Sequence, residues 1–234
     1  MEHVIRPIAH IRTEFASKFG IPRQSGLVPE LEGTIVFEPE YRNPDALRGL
    51  ETYTHIWLIW HFSEGFASAK QEAGAASWSP TVRPPKLDGN TRVGVFASRS
   101  PNRPNSLGLS VVRMTGIEPE SPEGPLIHVA GADLMDGTPI FDIKPYMPFT
   151  ESIPDAGRGI GRFRDLKPLD VTIPEDLVKK LPEGKTEALK RVLSMDPRPG
   201  YQDDPKRVYG FPFAGVEVKF RVTEDRRAVV ISIE

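Results

Sequence analysis

Two guanidiniums and two side-chain amides crowd into one short segment, Ser98-Arg99-Ser100-Pro101-Asn102-Arg103-Pro104-Asn105-Ser106. Val93, Val95 and Phe96 precede it, and Leu107, Leu109, Val111 and Val112 follow, so the pattern predicts strand, loop, strand. Pro101 and Pro104 fix φ and remove backbone donors, which makes the loop stiff. A stiff loop between buried strands presents fixed cationic donors to a planar or anionic ligand. The plainer interpretation is a proline-stiffened connection with solvated arginines. A bare connection, however, needs only about two to five residues and favours Asn-Gly.

A second constellation runs from Asp133 to Tyr146 and carries Asp133, Asp136, Asp142, Lys144 and Tyr146 on a short apolar unit. Asp136-Gly137 is a strong turn signal, so an ordinary hairpin is the competing interpretation. Asp133 and Asp142 flank predicted buried strand ends, where a carboxylate without a partner is costly. Pro22-Arg23-Gln24-Ser25-Gly26 combines a guanidinium, an amide and a glycine that permits close backbone approach, but alone it is only a loop. His61-Phe62-Ser63-Glu64 ends an aromatic strand, where a lone histidine is more often a satisfied core residue. Gly157-Arg158-Gly159-Ile160-Gly161 does not match GxGxxG and lacks the strand–turn–helix that a dinucleotide fingerprint requires. No P-loop, GxSxG or Rossmann pattern occurs.

Composition narrows the classes. The 234 residues suffice for one large domain, or a main domain with an appendage. Cysteine is absent, so neither a disulfide framework nor a thiolate metal site exists. The histidines show no zinc-site spacing, and no metal is expected. The start, MEHVIRPIAHIRTEF, lacks the apolar stretch of a signal peptide, and Ile56 to Trp60 is too short to span a bilayer. A soluble cytoplasmic protein is the expectation. A net charge of −2 argues against a strongly basic nucleic-acid binder. The charge is nonetheless uneven: Arg83, Lys86, Arg92, Arg99 and Arg103 face one acid, Asp88, between Thr81 and Asn105. From Asp155 to Lys167, Arg158, Arg162, Arg164 and Lys167 face Asp155 and Asp165. Such local basic surface suits an anionic partner held partly by other means, although a solvated, charge-mixed surface is the plainer explanation.

These residues need elements to position them. Strands are predicted over Val4–Ile11, Gly33–Phe37, Thr52–Phe62, Val111–Ile117, Leu126–Leu134 and Pro139–Lys144. Asn43 caps a short helix with Pro44 at its first position. Ser63 to Pro85 is a long excursion with a mobile tip at Ala67–Gln71. After a linker or ordered loop at 151–167, the tail reads as two helices, from Pro174 and over Lys185–Ser194, and a hairpin of Gly215–Val222 with Ala228–Ile233. A strand-rich stretch over residues 1–150 means a barrel or sandwich, followed by a small α+β domain over 168–234.

RPPKLDGN at 83–90, GVFASRSPNRPNSLGLS at 94–110, DLMDGTPIFDIKPY at 133–146 and DPRPGYQ at 196–202 together resemble the TsaA-like family of tRNA methyltransferases. The likeness extends over nearly the whole chain. One departure is Pro104-Asn105-Ser106-Leu107-Gly108, where a second proline commonly follows the asparagine. The resemblance implies a mainly β fold, with a single closed β-barrel main domain and a small α+β C-terminal domain. It also implies a homodimer that uses S-adenosylmethionine to methylate N6 of threonylcarbamoyladenosine beside the anticodon of tRNA. By motif match, it implies donor binding at Gln24, Ser25, Gly26, Phe62, Ser63, Glu64, Arg99, Leu109, Asp136, Gly137, Thr138 and Pro139.

The donor's carboxylate wants arginine or backbone N–H groups, and its adenine wants apolar walls with a few polar partners. For the acceptor, Arg103, Asn105 and Lys144 are the candidate substrate-binding residues, with Arg103 or Lys144 suited to a threonyl carboxylate. Asp133, Asp142 and Tyr146 remain open as catalytic candidates. Two other classes compete with this implied methyltransferase. A non-catalytic RNA- or nucleotide-binding module is motivated by the lack of one obvious base. A small-molecule hydrolase fits poorly, because no nucleophile–base pair or metal set is visible.

Overall fold

The computed structural model describes residues 3–63, 78–84, 91–157, 159, 167–199, 202 and 204–234. Six strands close into an antiparallel barrel: β1 (Ala9–Thr13), β2 (Glu32–Phe37), β3 (His55–His61), β6 (Leu107–Glu118), β7 (Leu126–Ala130) and β8 (Thr138–Pro145). Their order around the barrel is β1-β2-β7-β6-β3-β8, and β8 pairs back onto β1 through Ala9↔Ile140 and Ile11↔Thr138. Between β3 and β6 a small ribbon pairs β4 (Thr81–Val82) with β5 (Val93–Gly94). β3 alternates strictly, burying Ile56, Leu58 and Trp60 and turning His55, Trp57, Ile59 and His61 outward. Ile11, Ile35, Ile127 and Ile140 complete the barrel core, each with essentially no exposure. Burying such a side chain stabilises by about 1.5–3 kcal/mol.

The register places one set of strand ends together. Thr13 pairs with Gly33, Glu32 with Ala130, His61 with Leu107, and Ile11 with Thr138. The connections 14–31, 62–106 and 131–137 therefore all emerge at the same end of the barrel. Asp136-Gly137 does not close a hairpin, because β7 pairs with β2 and β6 whereas β8 pairs with β1 and β3. The segment 131–137 instead crosses the barrel end. It is anchored there by Thr13 N–H to Asp136 Oδ1 (3.0 Å) and Gly137 N–H to the Ile11 carbonyl (2.8 Å).

The C-terminal part is a four-stranded sheet in the order β10 (Tyr209–Phe213), β11 (Val216–Val222), β12 (Arg227–Ile233), β9 (Asp170–Thr172). The helix Thr186–Ser194 buries Ala188, Leu189, Val192 and Leu193 in the same core as Phe211, Phe213 and Phe220. The fold is thus mainly β, a closed barrel with a small α+β C-terminal region.

Several sequence expectations shift. The first strand starts at Ala9 rather than Val4, with Val4 and Ile5 exposed; Pro7 has no N–H for a ladder. After Gly94 the chain turns in a short 3₁₀ segment, Val95–Ala97, instead of continuing as a strand. A further strand, β10, was not predicted; it carries Pro212, which an edge strand tolerates. The predicted mobile tip Ala67–Gln71 lies outside the described residues. Among the described residues no helix is long and apolar enough to cross a membrane.

Lys185 clamps the two parts together. Its ammonium donates to Glu14 Oε1 (2.9 Å) and to Glu32, and Glu14 Oε1 also accepts from Glu32 N–H (3.0 Å). The Glu14 side chain is only 7% exposed, so its charge depends on that ammonium. Replacing Lys185 by Met leaves a buried carboxylate uncompensated and is expected to destabilise the fold by about 1–3 kcal/mol. The check is the urea unfolding midpoint, and an unchanged midpoint would show that the clamp contributes nothing.

Candidate active site

The loop between β5 and β6 is braced by its own side chains. Ser98 Oγ donates to the Val95 carbonyl (2.8 Å) and accepts from Ser100 N–H (3.3 Å). Ser100 Oγ accepts from Asn102 N–H (3.2 Å). The Arg103 guanidinium spans the carbonyls of Ser98 (3.2 Å) and Ser100 (3.4 Å). Ser106 holds a left-handed φ of +46°, and its carbonyl accepts from Phe62 N–H (3.0 Å). That bond ties the loop's end to the strand across from it.

This loop forms one side of a cleft of about 730 Å³ at the barrel end. Arg99, Asn102 and Arg103 line it from the loop, and Leu107, Gly108 and Leu109 from the start of β6. Trp60 lines it from β3 and Phe62 and Ser63 from just beyond that strand; Asp133 and Met135 from the crossing segment and Thr138 from the start of β8; Lys18, Ile21, Arg23 and Gln24 from the connection after β1. Arg99 donates to the Gln24 side-chain oxygen across the opening. Leu109 is 50% exposed, an uncovered apolar wall. Asn102 Oδ1 is shielded from solvent and has no hydrogen-bond partner among the described residues.

Asp133 sits at the end of a hydrogen-bond chain. Trp60 Nε1–H donates to Ser110 Oγ (3.0 Å), and Ser110 Oγ–H donates to Asp133 Oδ1 (2.6 Å). Burial pushes the Asp133 carboxyl above the ordinary aspartate range, while the Ser110 hydroxyl, its own backbone, the Arg99 charge and the Ser25 backbone pull it back. Gly108 makes the arrangement possible: it faces Trp60 across the strand pair, and a Cβ there would lie 2.2 Å from the indole. The indole lies flat on bare backbone, and its N–H reaches Ser110 two residues further on.

The cleft thus gathers Gln24, Phe62, Ser63, Arg99, Leu109, Thr138, Arg103 and Asp133 from the residues singled out in the sequence. The others lie elsewhere. Gly26 donates its N–H to the Gly131 carbonyl (2.8 Å) behind the cleft wall, and the Ser25 backbone supports Asp133. Asp136 and Gly137 anchor the crossing segment to β1, and Pro139 pairs with His10. Asn105 is exposed outside the cleft, and Glu64 falls outside the described residues. Asp142 and Lys144 form an exposed ion pair with each other (3.2 Å). Tyr146 donates its N–H to the His55 carbonyl at the opposite barrel end (3.0 Å). β8 runs away from the cleft at about 3.3 Å per residue, so residues late in this strand cannot reach what Asp133 reaches.

Comparison with known proteins bears on this arrangement. A family model described as the tRNA-methyltransferase O N-terminal domain matches residues 10–152, and one described as the TrmO C-terminal domain matches residues 167–234. The chain belongs to the tRNA-methyltransferase O family. A tRNA (adenine(37)-N6)-methyltransferase of Escherichia coli is 36% identical over 226 residues, covering 93% of this chain and 92% of that protein. Its counterpart in Eikenella corrodens is 43% identical over 172 residues, covering 73% and 92%. A Pseudomonas aeruginosa relative whose name assigns it to S-adenosylmethionine-dependent methyltransferases is 37% identical over 220 residues, covering 90% and 88%. The crystal structure of TrmO from Pseudomonas aeruginosa superposes over 100% of both chains with a TM-score of 0.79 at 31% identity.

The residues of the tRNA-methyltransferase O cleft fit S-adenosylmethionine. Arg99 offers a guanidinium for a carboxylate, Phe62 and Leu109 offer apolar walls for a purine, and the orphaned Asn102 oxygen wants an N–H donor. Asn102 and Arg23 lay in loops already singled out but without an assigned role, whereas Trp60 and Ser110 were not anticipated. Their signal lay in Gly108 and Ser110, small or polar residues at inward positions of an otherwise apolar strand.

Ser110→Ala removes a hydrogen bond that favours the charged carboxylate. The Asp133 protonation midpoint is therefore expected to rise further, leaving less carboxylate at any pH near it. A carboxyl ¹³C titration by NMR reads the shift, and a midpoint that stays put or falls would remove Ser110 from the chain.

Proposed function

We propose that the chain transfers the methyl group of S-adenosylmethionine to N6 of adenosine 37 in tRNA, and that the nucleoside methylated is threonylcarbamoyladenosine. The observation carrying this reading is the meeting of Gln24, Phe62, Arg99, Leu109 and Thr138 in one cleft of a tRNA-methyltransferase O chain. When bound, S-adenosylmethionine supplies an electrophilic methyl on a sulfonium. Arg99 binds the donor carboxylate, and Gln24 orients the guanidinium from the far wall. Phe62 and Leu109 hold the adenine.

The acceptor nitrogen of threonylcarbamoyladenosine belongs to a urea. Its lone pair is delocalised, which makes it a poor nucleophile, and its N–H is correspondingly more acidic. A carboxylate with a raised proton affinity suits that N–H. Of the three catalytic candidates Asp133 lines the cleft, and it is assigned to accept the N6 proton. Arg103, held by two loop carbonyls at the cleft edge, is assigned to the threonyl carboxylate.

A homodimer is the second part of this reading. Trp57, Ile59 and Phe141 form a partly apolar outward row on β3 and β8, the kind of surface an isologous interface buries. Sedimentation should give twice the chain mass, and a monomer at micromolar concentration would overturn the dimer.

Calorimetry tests the cleft. Wild-type protein should bind S-adenosylmethionine. Arg99→Ala, which removes a loop guanidinium outside the core, should weaken binding about 10- to 100-fold with folding intact, as expected for a lost charge-assisted hydrogen bond. Unchanged affinity would refute the assignment. Nucleosides from cells lacking the gene should lose the methyl on threonylcarbamoyladenosine, and a loss on another adenosine would correct the substrate.

A further inference from the structure

The connection after β1 serves two cores at once. Phe15, Val28 and Leu31 are buried in the C-terminal core, and Phe19 and Ile21 pack against it. The Phe19 ring stacks parallel to Tyr209 at 6.4 Å (8° between planes) and tilts against Phe211 at 5.9 Å. Gly20, with φ +92°, passes so close that a Cβ would sit 2.7 Å from the Phe211 ring. Ile21 then lines the cleft, followed by Arg23 and Gln24. Ile21 therefore touches the C-terminal core and the cleft together.

A charge accompanies the apolar contact. Asp196 adopts a left-handed φ of +52° and takes a fork of two bonds from buried Arg198, at 2.8 and 3.0 Å. Its negative charge also reaches Arg23 in the cleft wall, offsetting part of what burial costs that guanidinium.

We propose that the C-terminal domain is a positioning element for the methyl-donor cleft: Phe19, set against Tyr209 and Phe211, fixes the wall made by Ile21, Arg23 and Gln24. This rests on the reading that the cleft binds S-adenosylmethionine. Phe19 does not line the cleft and acts through its neighbours. Because Gln24 accepts from Arg99, a displaced wall also frees the guanidinium assigned to the donor carboxylate. A wall that must be reordered on binding costs affinity.

The test uses the full chain, with S-adenosylmethionine as probe and tRNA as methyl acceptor. Phe19→Ala should weaken donor binding about 10-fold and raise the donor KM equally, with kcat at saturating donor within about twofold; Phe19→Leu should restore most of the affinity. A purely structural role would lower the folded fraction and kcat while leaving the donor affinity of the folded protein intact. Donor affinity within twofold of wild type in Phe19→Ala, while Arg99→Ala binds weakly, overturns the proposal and spares the cleft. If Phe19→Ala fails to fold, Phe19→Val takes its place, and donor affinity within twofold of wild type in that variant overturns the proposal. Absence of S-adenosylmethionine binding by the wild type brings down the cleft reading and this proposal with it.

Discussion

Closure of the barrel in the order β1-β2-β7-β6-β3-β8 decides where everything else can be. Sequential strands β2 and β3, and likewise β7 and β8, are not neighbours, so the chain must cross the barrel ends between them. Backbone that crosses an end cannot complete a ladder and must find other hydrogen-bond partners. The segment 131–137 finds them in β1 and in the connection that follows it, through Thr13, Ile11 and the Phe15 carbonyl. The same crossing brings Asp133 over the open mouth of the barrel, beside a loop whose prolines and serines hold it in one shape. A cleft arises because the antiparallel register leaves these three connections at one end.

Within that cleft, polar groups are arranged in opposed pairs. Asp133 is buried deeply enough for desolvation to dominate its proton affinity, yet it keeps the Ser110 hydroxyl and lies within reach of the Arg99 charge. Arg99 in turn holds Gln24. Carboxylate, guanidinium and amide are therefore held in fixed relation before any ligand arrives, which reduces the ordering cost of binding. The Trp60 indole connects this polar line to the apolar interior: one face rests on Gly108 and its N–H enters the chain of bonds. Packing of the barrel and polarity of the cleft meet in that side chain.

Much of this was legible in the sequence, unevenly. The stiff loop around Arg99 was readable because two prolines and the flanking apolar runs are local signals. The aspartate cluster from Asp133 to Tyr146 read as one unit, but β8 lies inside it and carries Tyr146 to the far end of the barrel. Sequence neighbours separate whenever a strand runs between them. Trp60 and Ser110 hid inside strands, where burial alone explains an aromatic and a lone serine passes for an interruption. Their relation is a cross-strand one, set by a register that pairs Trp60 with Gly108. The edge strand β10 escaped because Pro212 and Gly210 suppress strand propensity where no outer ladder needs them.

The shared core also ties the order of synthesis to completion of the fold. Phe15 packs edge-on against Phe213 at 5.6 Å, so a residue made early must wait for one made about two hundred residues later. Contacts between such distant points carry a large loop-closure cost and form slowly. Until β10 to β12 have left the ribosome, Phe15, Phe19 and Leu31 have no aromatic floor to settle on. Nascent chains would then present these side chains to solvent, and the cleft wall that follows Phe19 would settle only once β10 to β12 are made.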